Sequence, residues 1–252
     1  MKKIFHIALI MFSMSIVVNA ATRGDVKVIE ASEDIRYLSQ KIVKDYLLFY
    51  KNTEQTEVKK RLEKELQILS QDFRIIATTT KDADTKDILE FLAYSKDQIA
   101  QIFDEEANKE NAALMLDYSE TLLEGADSIA RAHKYDFSQE ERMLMLTKKV
   151  EYLLERITKY YMALNVGFQN KTNKEQLMMA VIEMEESLVE LSLYDYPEEL
   201  KGIQEDLDDS WKANRIYFNR SEELFIPKLM FISISYMESI VSQLALYHSK
   251  NQ

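Results

Sequence analysis

The sequence predicts an all-α protein made of two tandem up-down four-helix bundle modules related by an internal repeat, and three observations carry that expectation. Glycine and proline number 4 and 2 in 252 residues, which leaves little material for hairpin turns, while Leu, Glu, Lys, Met, Gln and Ala abound. Apolar residues recur at helical spacing: Ile35, Leu38, Ile42, Tyr46 and Phe49 form one stripe, and Val150, Leu153, Ile157, Tyr161 and Leu164 form another. The chain also matches itself without a gap at the lag of 115 residues that carries Ile35 onto Val150. At that lag Tyr37 and Leu38 recur as Tyr152 and Leu153, Lys44 as Lys159, Phe103 as Phe218, Leu114 and Met115 as Leu229 and Met230, and His133 as His248.

Residues 1–20 read as an export signal. Lys2 and Lys3 supply the positive start, Ile4 to Val18 the apolar stretch, and Val18-Asn19-Ala20 a small-residue cleavage site. That apolar stretch is interrupted by His6, Ser13 and Ser15 and falls short of the ~20 apolar residues of a bilayer crossing, so cleavage is expected rather than anchoring. A periplasmic protein without a membrane span in the mature chain follows. Phe225 to Tyr247, the most apolar later stretch, carries Lys228 and Glu238 and reads as a buried amphipathic helix.

The two modules are expected at 21–135 and 136–252. In the first, start signals divide the chain into helices near 26–51, 54–79, 84–107 and 110–134, with Asn52 and Gln55 at capping-box spacing. In the second, helices fall near 139–168, 173–193, 197–221 and 226–249. Ser138 with Glu141 and Thr172 with Glu175 repeat the capping signature, and Pro197 and Pro227 suit first-turn positions, where a missing N–H costs nothing. Loops this short favour antiparallel neighbours.

Composition excludes several functions. Removing Lys2 and Lys3 takes the net charge from −11 to −13, which speaks against nucleic acid, since neutralising phosphates needs a basic stripe. With no cysteine there are no disulfides, iron–sulfur clusters or covalent haem. No phosphate-binding glycine loop, nucleophile elbow or paired metal-ligand spacing is present, and no convergent set of acid and base groups can be assembled, so neither catalysis nor a cofactor is expected. His133 and His248 stand at helix C-termini, where an imidazole meets the negative dipole end more readily than a metal. Methionine pairs such as Met143 with Met145 and Met178 with Met179 are expected as flexible core filler rather than a copper array. Trp211 is either a core anchor or a partner surface.

One segment holds more polar chemistry than a scaffold helix needs: Arg36-Tyr37-Leu38-Ser39-Gln40-Lys41-Ile42-Val43-Lys44, followed by Tyr46-Leu47-Leu48. It resembles the opening helix of the PilJ-type domain, the N-terminal sensory region of type IV pilus chemotaxis transducers, which is related to the sensor region of NarX-type nitrate/nitrite kinases. That family opens on roughly Arg-Met-Leu-Ser-Gln-Arg-Met-x-Lys and often carries two copies. The resemblance implies a receptor-like helical bundle in which Arg36, with Ser39, Gln40 and Lys41, binds a small anion such as nitrate or nitrite at a two-fold interface. A guanidinium offers a planar fork of donors that matches a planar oxyanion.

Two departures bear on that site. Where the family has Gly-Arg this chain has Glu33-Asp34, which adds negative potential. In the second copy the ligand position is Glu151 and the Ser-Gln pair is Leu154-Glu155. Packing of the two modules in the manner of the family's protomers would set Arg36 against Glu151 as a structural ion pair; a homodimer joined through first modules would set Arg36 against its own copy and leave room for an anion. Two functions are therefore expected to compete. One is a periplasmic sensory protein that signals by contact with a membrane receptor, kinase or chemotaxis transducer. The other is a helical structural or interaction module of the envelope without a small-molecule ligand.

Overall fold

The computed structural model describes residues 2–252 except Gln55, Lys134 and residues 222–225, with side chains from Arg23 onward. Of the expected export signal only Met1 lies outside the described residues, with 2–20 falling in the first helix, and the Gln55 half of an expected cap lies outside them too. Among the described residues there are eight helices and no strand: α1 (Lys2–Lys51), α2 (Thr56–Thr79), α3 (Ala83–Asp104), α4 (Lys109–Ala132), α5 (Gln139–Asn165), α6 (Lys171–Ser192), α7 (Glu198–Asn219) and α8 (Pro227–Lys250). The protein is all-α, as its composition and periodicity predict.

Local chemistry sets the boundaries. Ser138 Oγ accepts from the Glu141 N–H while Glu141 Oε2 accepts from the Ser138 N–H, completing the expected capping box of α5. Asp82 and Asn108 cap α3 and α4 by accepting from the N–H groups of Thr85 and Asn111. The cap expected from Thr172 and Glu175 is not used. Instead Asn170, in extended backbone, accepts from the Asn173 N–H at 2.8 Å and starts α6 two residues earlier. α5 stops at Asn165, short of the expected 168, because Gly167 takes a positive φ of 104° and lets the Phe168 N–H donate back to the Ala163 carbonyl. Pro197 stands at the N-cap of α7 rather than inside its first turn, while Pro227 opens α8 as expected.

α1 and α5 are the central elements. α1 packs on α2, α4 and α5; α5 packs on α1, α6 and α8; α3 bridges α2 and α4, and α7 bridges α6 and α8. Two apolar cores result. One is built from α1 to α4 around Ile35, Ile42, Leu69 and Leu92, and takes Met162 and Ala163 from α5. The other is built from α5 to α8 around Leu153, Ile157, Met184 and Trp211, and takes Leu123 from α4. Trp211 is a core anchor stacked on Phe218. Met143 is buried, whereas Met178 and Met179 face outward and fill no core. α8 is long and apolar enough to cross a membrane by length and composition, yet Met230, Ile234, Met237 and Leu244 on its inner face belong to the second core.

Two glycines respond oppositely to added bulk. A Cβ on Gly125 would fall 2.4 Å from Leu92 Cδ2, a fully buried side chain, at the close approach of α3 and α4. Gly202 sits inside α7 with nothing within 4 Å. Gly125→Ala is expected to destabilise by about 1–3 kcal/mol through overpacking, outweighing any helix-propensity gain. Gly202→Ala should stabilise by about 1 kcal/mol. Urea unfolding of the two variants beside the native chain checks both signs.

Candidate functional site

The four residues that the resemblance nominates share one stretch of α1 but do not converge on one cavity. Arg36 Nη1 donates to both Glu33 oxygens at 2.8 and 2.9 Å, and its guanidinium lies 4.7 Å from the centre of the Tyr152 ring. Burial works against its charge, but Glu33, Tyr152 and Asp127 outweigh burial and raise its pKa further. Ser39 Oγ donates to the Arg36 carbonyl; Gln40 Nε2 donates to Ser39 Oγ, and Gln40 Oε1 accepts from Arg156 Nη1 at 3.2 Å. Both Ser39 and Gln40 are sealed from solvent. Lys41 donates to Tyr37 Oη and lies 3.5 Å from Glu155. The anticipated Arg36–Glu151 pair does not form: Arg36 is held within its own helix by Glu33, and Glu151 accepts from Ser242 on α8.

Buried charge concentrates instead along the seam of α1 and α5. Lys44 reaches both carboxylate oxygens of Glu155, at 2.9 and 2.7 Å. Burial opposes ionisation of Glu155, but Lys44 and Lys41 overcome it and hold its pKa down. Glu238 on α8 shares a hydrogen bond with Glu155 and is pushed up to about 8, chiefly by burial and then by the Glu155 charge. Asp45 Oδ2 accepts from Arg61 Nε at 2.9 Å, while Asp45 Oδ1 is buried without a hydrogen-bond partner. On the opposite side of the seam, Glu120 of α4 takes a fork from Arg156 at 2.9 and 2.8 Å and a hydrogen bond from Lys159. Burial would raise the Glu120 carboxyl, but these two cations drive it down to about 2. Burial in turn lowers Lys159 to about 8.

A second polar arrangement closes one end of each half. His133, the C-cap of α4, sets Nδ1 2.7 Å from Asp25 Oδ1 and Nε2 3.0 Å from Thr85 Oγ1. His248, in the last turn of α8, sets Nδ1 2.7 Å from Glu140 Oε2 and Nε2 2.9 Å from the Tyr196 hydroxyl. The Asp25-His133-Thr85 chain has the connectivity of a hydrolase triad, yet Thr85 is fully enclosed and offers no attacking oxygen to a substrate. Both histidines are therefore clasps tying a helix end to a carboxylate on the central helix of the same half, Asp25 within α1 and Glu140 at the start of α5. The carboxylate partners were missed in the sequence, although Asp25 and Glu140 lie at the same lag as the histidines.

Compared with protein-family models, curated proteins and solved structures, the chain matches none of them.

Two consequences are measurable. Glu155→Ala leaves Lys44 buried without its main partner and should destabilise by about 3 kcal/mol, whereas Lys44→Met with Glu155→Met should recover most of that loss; urea midpoints of the two variants check this. Stability should also depend on pH through buried acids. Burial pushes Glu65 and Glu238 up to about 8 and Asp72 to about 7, so the folded chain keeps protons that the unfolded chain releases near its ordinary 4.5 and 3.8. Stability from these groups is complete at low pH and is lost as pH rises through 7 to 8. Unfolding measured between about pH 5 and about pH 8 should show this fall, and Glu65→Gln should flatten it.

Proposed function

We propose that this chain is a non-enzymatic, exported binding protein of the sensory PilJ-like kind, built from two copies of one up-down four-helix bundle. In this reading residues 1–20 are removed on export to the periplasm, and modules 21–135 and 136–252 pack back to back through α1 and α5. Several features support a duplication. α3 and α7 are offset by the same 115 residues at both ends, as are the starts of α2 and α6. The Asp25–His133 and Glu140–His248 clasps are copies of each other. Across the seam, Lys41 with Glu155 and Arg156 with Gln40 are images under exchange of the modules, the pattern that a two-fold contact produces.

The observation that carries a binding role is the buried charge on the seam, with Asp45 Oδ1 and Glu65 Oε2 left without hydrogen-bond partners. A scaffold selected for stability alone is served as well or better by apolar residues at such positions, and perturbed, incompletely paired groups cluster where ligands are read. Nitrate and nitrite fit this seam poorly at Arg36, because both Glu33 oxygens already accept from Nη1 and Asp127 stands 4.0 Å away, although Nε is buried without a hydrogen-bond partner. Signal would pass by contact to a membrane receptor, kinase or chemotaxis transducer. A second reading, an interaction module of the envelope, draws on α8: Leu229, Ile232, Tyr236 and Leu246 face outward on a protein of strong net negative charge.

Two measurements test this reading. Thermal shift of residues 21–252 against a broad panel of small metabolites should find a stabilising ligand, and silence across the panel would favour the interaction module. Calorimetry with nitrate and nitrite should give no heat that Arg36→Ala removes; saturable heat lost in that variant would return the anion to Arg36.

A further inference from the structure

We propose that the cleft between α1, α2 and α8 binds a small amphipathic monocarboxylate carrying a hydrogen-bond donor, an α-amino or α-hydroxy acid with an apolar side chain. The proposal rests on the two-module reading and assigns it a ligand class and a site. On the closed side of the seam, one carboxylate is gripped by two groups, Arg156 and Lys159 of α5 holding Glu120 of α4, while Gln176 Oε1 of α6 accepts from the Arg156 guanidinium. Moved back by 115 residues, Arg156 becomes Lys41, Lys159 becomes Lys44, Gln176 becomes Arg61, and Glu120 has as its counterpart Ser235. These four residues all line one cleft of about 760 Å³. Three cations thus stand on this side, Lys41 and Lys44 turned to Glu155 and Arg61 to Asp45, while the carboxylate that α4 supplies on the other side is replaced on α8 by a short hydroxyl.

Charge, shape and hydrogen bonding agree on what would fill the gap. Lys41, Lys44 and Arg61 face two buried carboxylates, Asp45 and Glu155, while Glu238 at the cleft wall and Glu65 of α2 beside these charges hold their protons at neutral pH because burial pushes each to about 8. Glu54 and Glu57 stand at the solvent-exposed rim, with Glu57 paired to Lys60. One cation is left in excess inside, which the anion of a 2-hydroxy acid balances; an α-amino acid, carrying its own ammonium and no net charge, is the weaker fit of the two. Asp45 Oδ1, on a side chain only 2% exposed, faces Lys44 Nζ at 3.6 Å but accepts no hydrogen bond, which leaves it able to take a hydroxyl or ammonium donor. Leu48, Val58 and Phe231 supply an apolar wall for a hydrocarbon side chain. The volume lies within the range of roughly 300–1,000 Å³ typical of small-molecule sites, far more than a nitrate ion occupies.

The test is calorimetric titration of residues 21–252 with leucine, phenylalanine and 2-hydroxy-4-methylpentanoate, with nitrate as a control, for the native chain, Ser235→Glu, Arg61→Ala and Lys60→Ala. Saturable binding of at least one of the three acids is expected. Ser235→Glu should weaken it by about tenfold or more while holding or raising the unfolding temperature, because it restores on this side the carboxylate that Glu120 provides on the other. Arg61→Ala should weaken binding by about tenfold, and the rim variant Lys60→Ala should leave it unchanged. No heat with any of the three acids overturns the proposal. Binding that survives Ser235→Glu unchanged overturns the site while leaving a binding role for the chain intact.

Discussion

Charge buried between α1 and α5 is the constraint on which the rest of the arrangement depends. Glu155 and Lys159 are shut off from solvent and Lys44 nearly so, and each is stable there only while its partner stands opposite. An ion left unpaired in such a place costs several kcal/mol. A slip of α5 by one residue would rotate Glu155 by about 100° away from Lys44 and carry Arg156 off Glu120 at the same time. Apolar contacts alone tolerate such slips, since one aliphatic side chain replaces another at small loss. The ion pairs therefore supply the register, and the apolar cores on either side supply most of the free energy.

Those cores interlock through the same two helices. α5 is buried without interruption from Tyr152 to Leu164, because α1 covers one flank while α6 and α8 cover the others. Met162 and Ala163 extend into the first core and Leu123 of α4 into the second, so neither half closes its interior without the other. The histidine clasps act at the far ends of this arrangement. His133 fastens α4 to the Asp25 turn of α1 and to the start of α3, and His248 fastens α8 to the start of α5 and to the loop before α7. Ends that would otherwise leave helix carbonyls and polar side chains competing for water are tied to one another.

Helices were legible because their signals are local. The stripe from Ile35 to Phe49, the Ser138–Glu141 box and Pro227 each state their structure within a few residues. Gly167 was equally local as a stop signal for α5, and Asn170 as a start for α6, but Thr172 with Glu175 offered a competing cap that only geometry could reject. The seam was not legible. Glu155 and Lys159 stand at the i, i+4 spacing of a solvated helix pair, yet both are buried and each pairs with a different helix, Glu155 with Lys44 and Lys159 with Glu120. Nothing within one helix reveals where its charges find partners. Gln40 and Lys41, which the resemblance nominates, do lie on the seam, but their donors meet Ser39, Tyr37 and Glu155 rather than an anion shared with Arg36.

Taken as copies of one module, the halves differ where a ligand would matter. Gln40 corresponds to Glu155, Asp45 to Tyr160 and Ser235 to Glu120, so the carboxylates balancing the lysines come from α4 on one side and from α1 and α5 on the other. The first side is complete in itself. The second is left with an open cleft whose walls are α1 and α2 of one half and α8 of the other. An occupant there would touch both halves at once. A ligand shifts an equilibrium only through contacts that differ between the competing states, and contacts that bridge two packed halves differ whenever those halves move. That position is where small-molecule binding would bear on the relation between halves rather than on either alone.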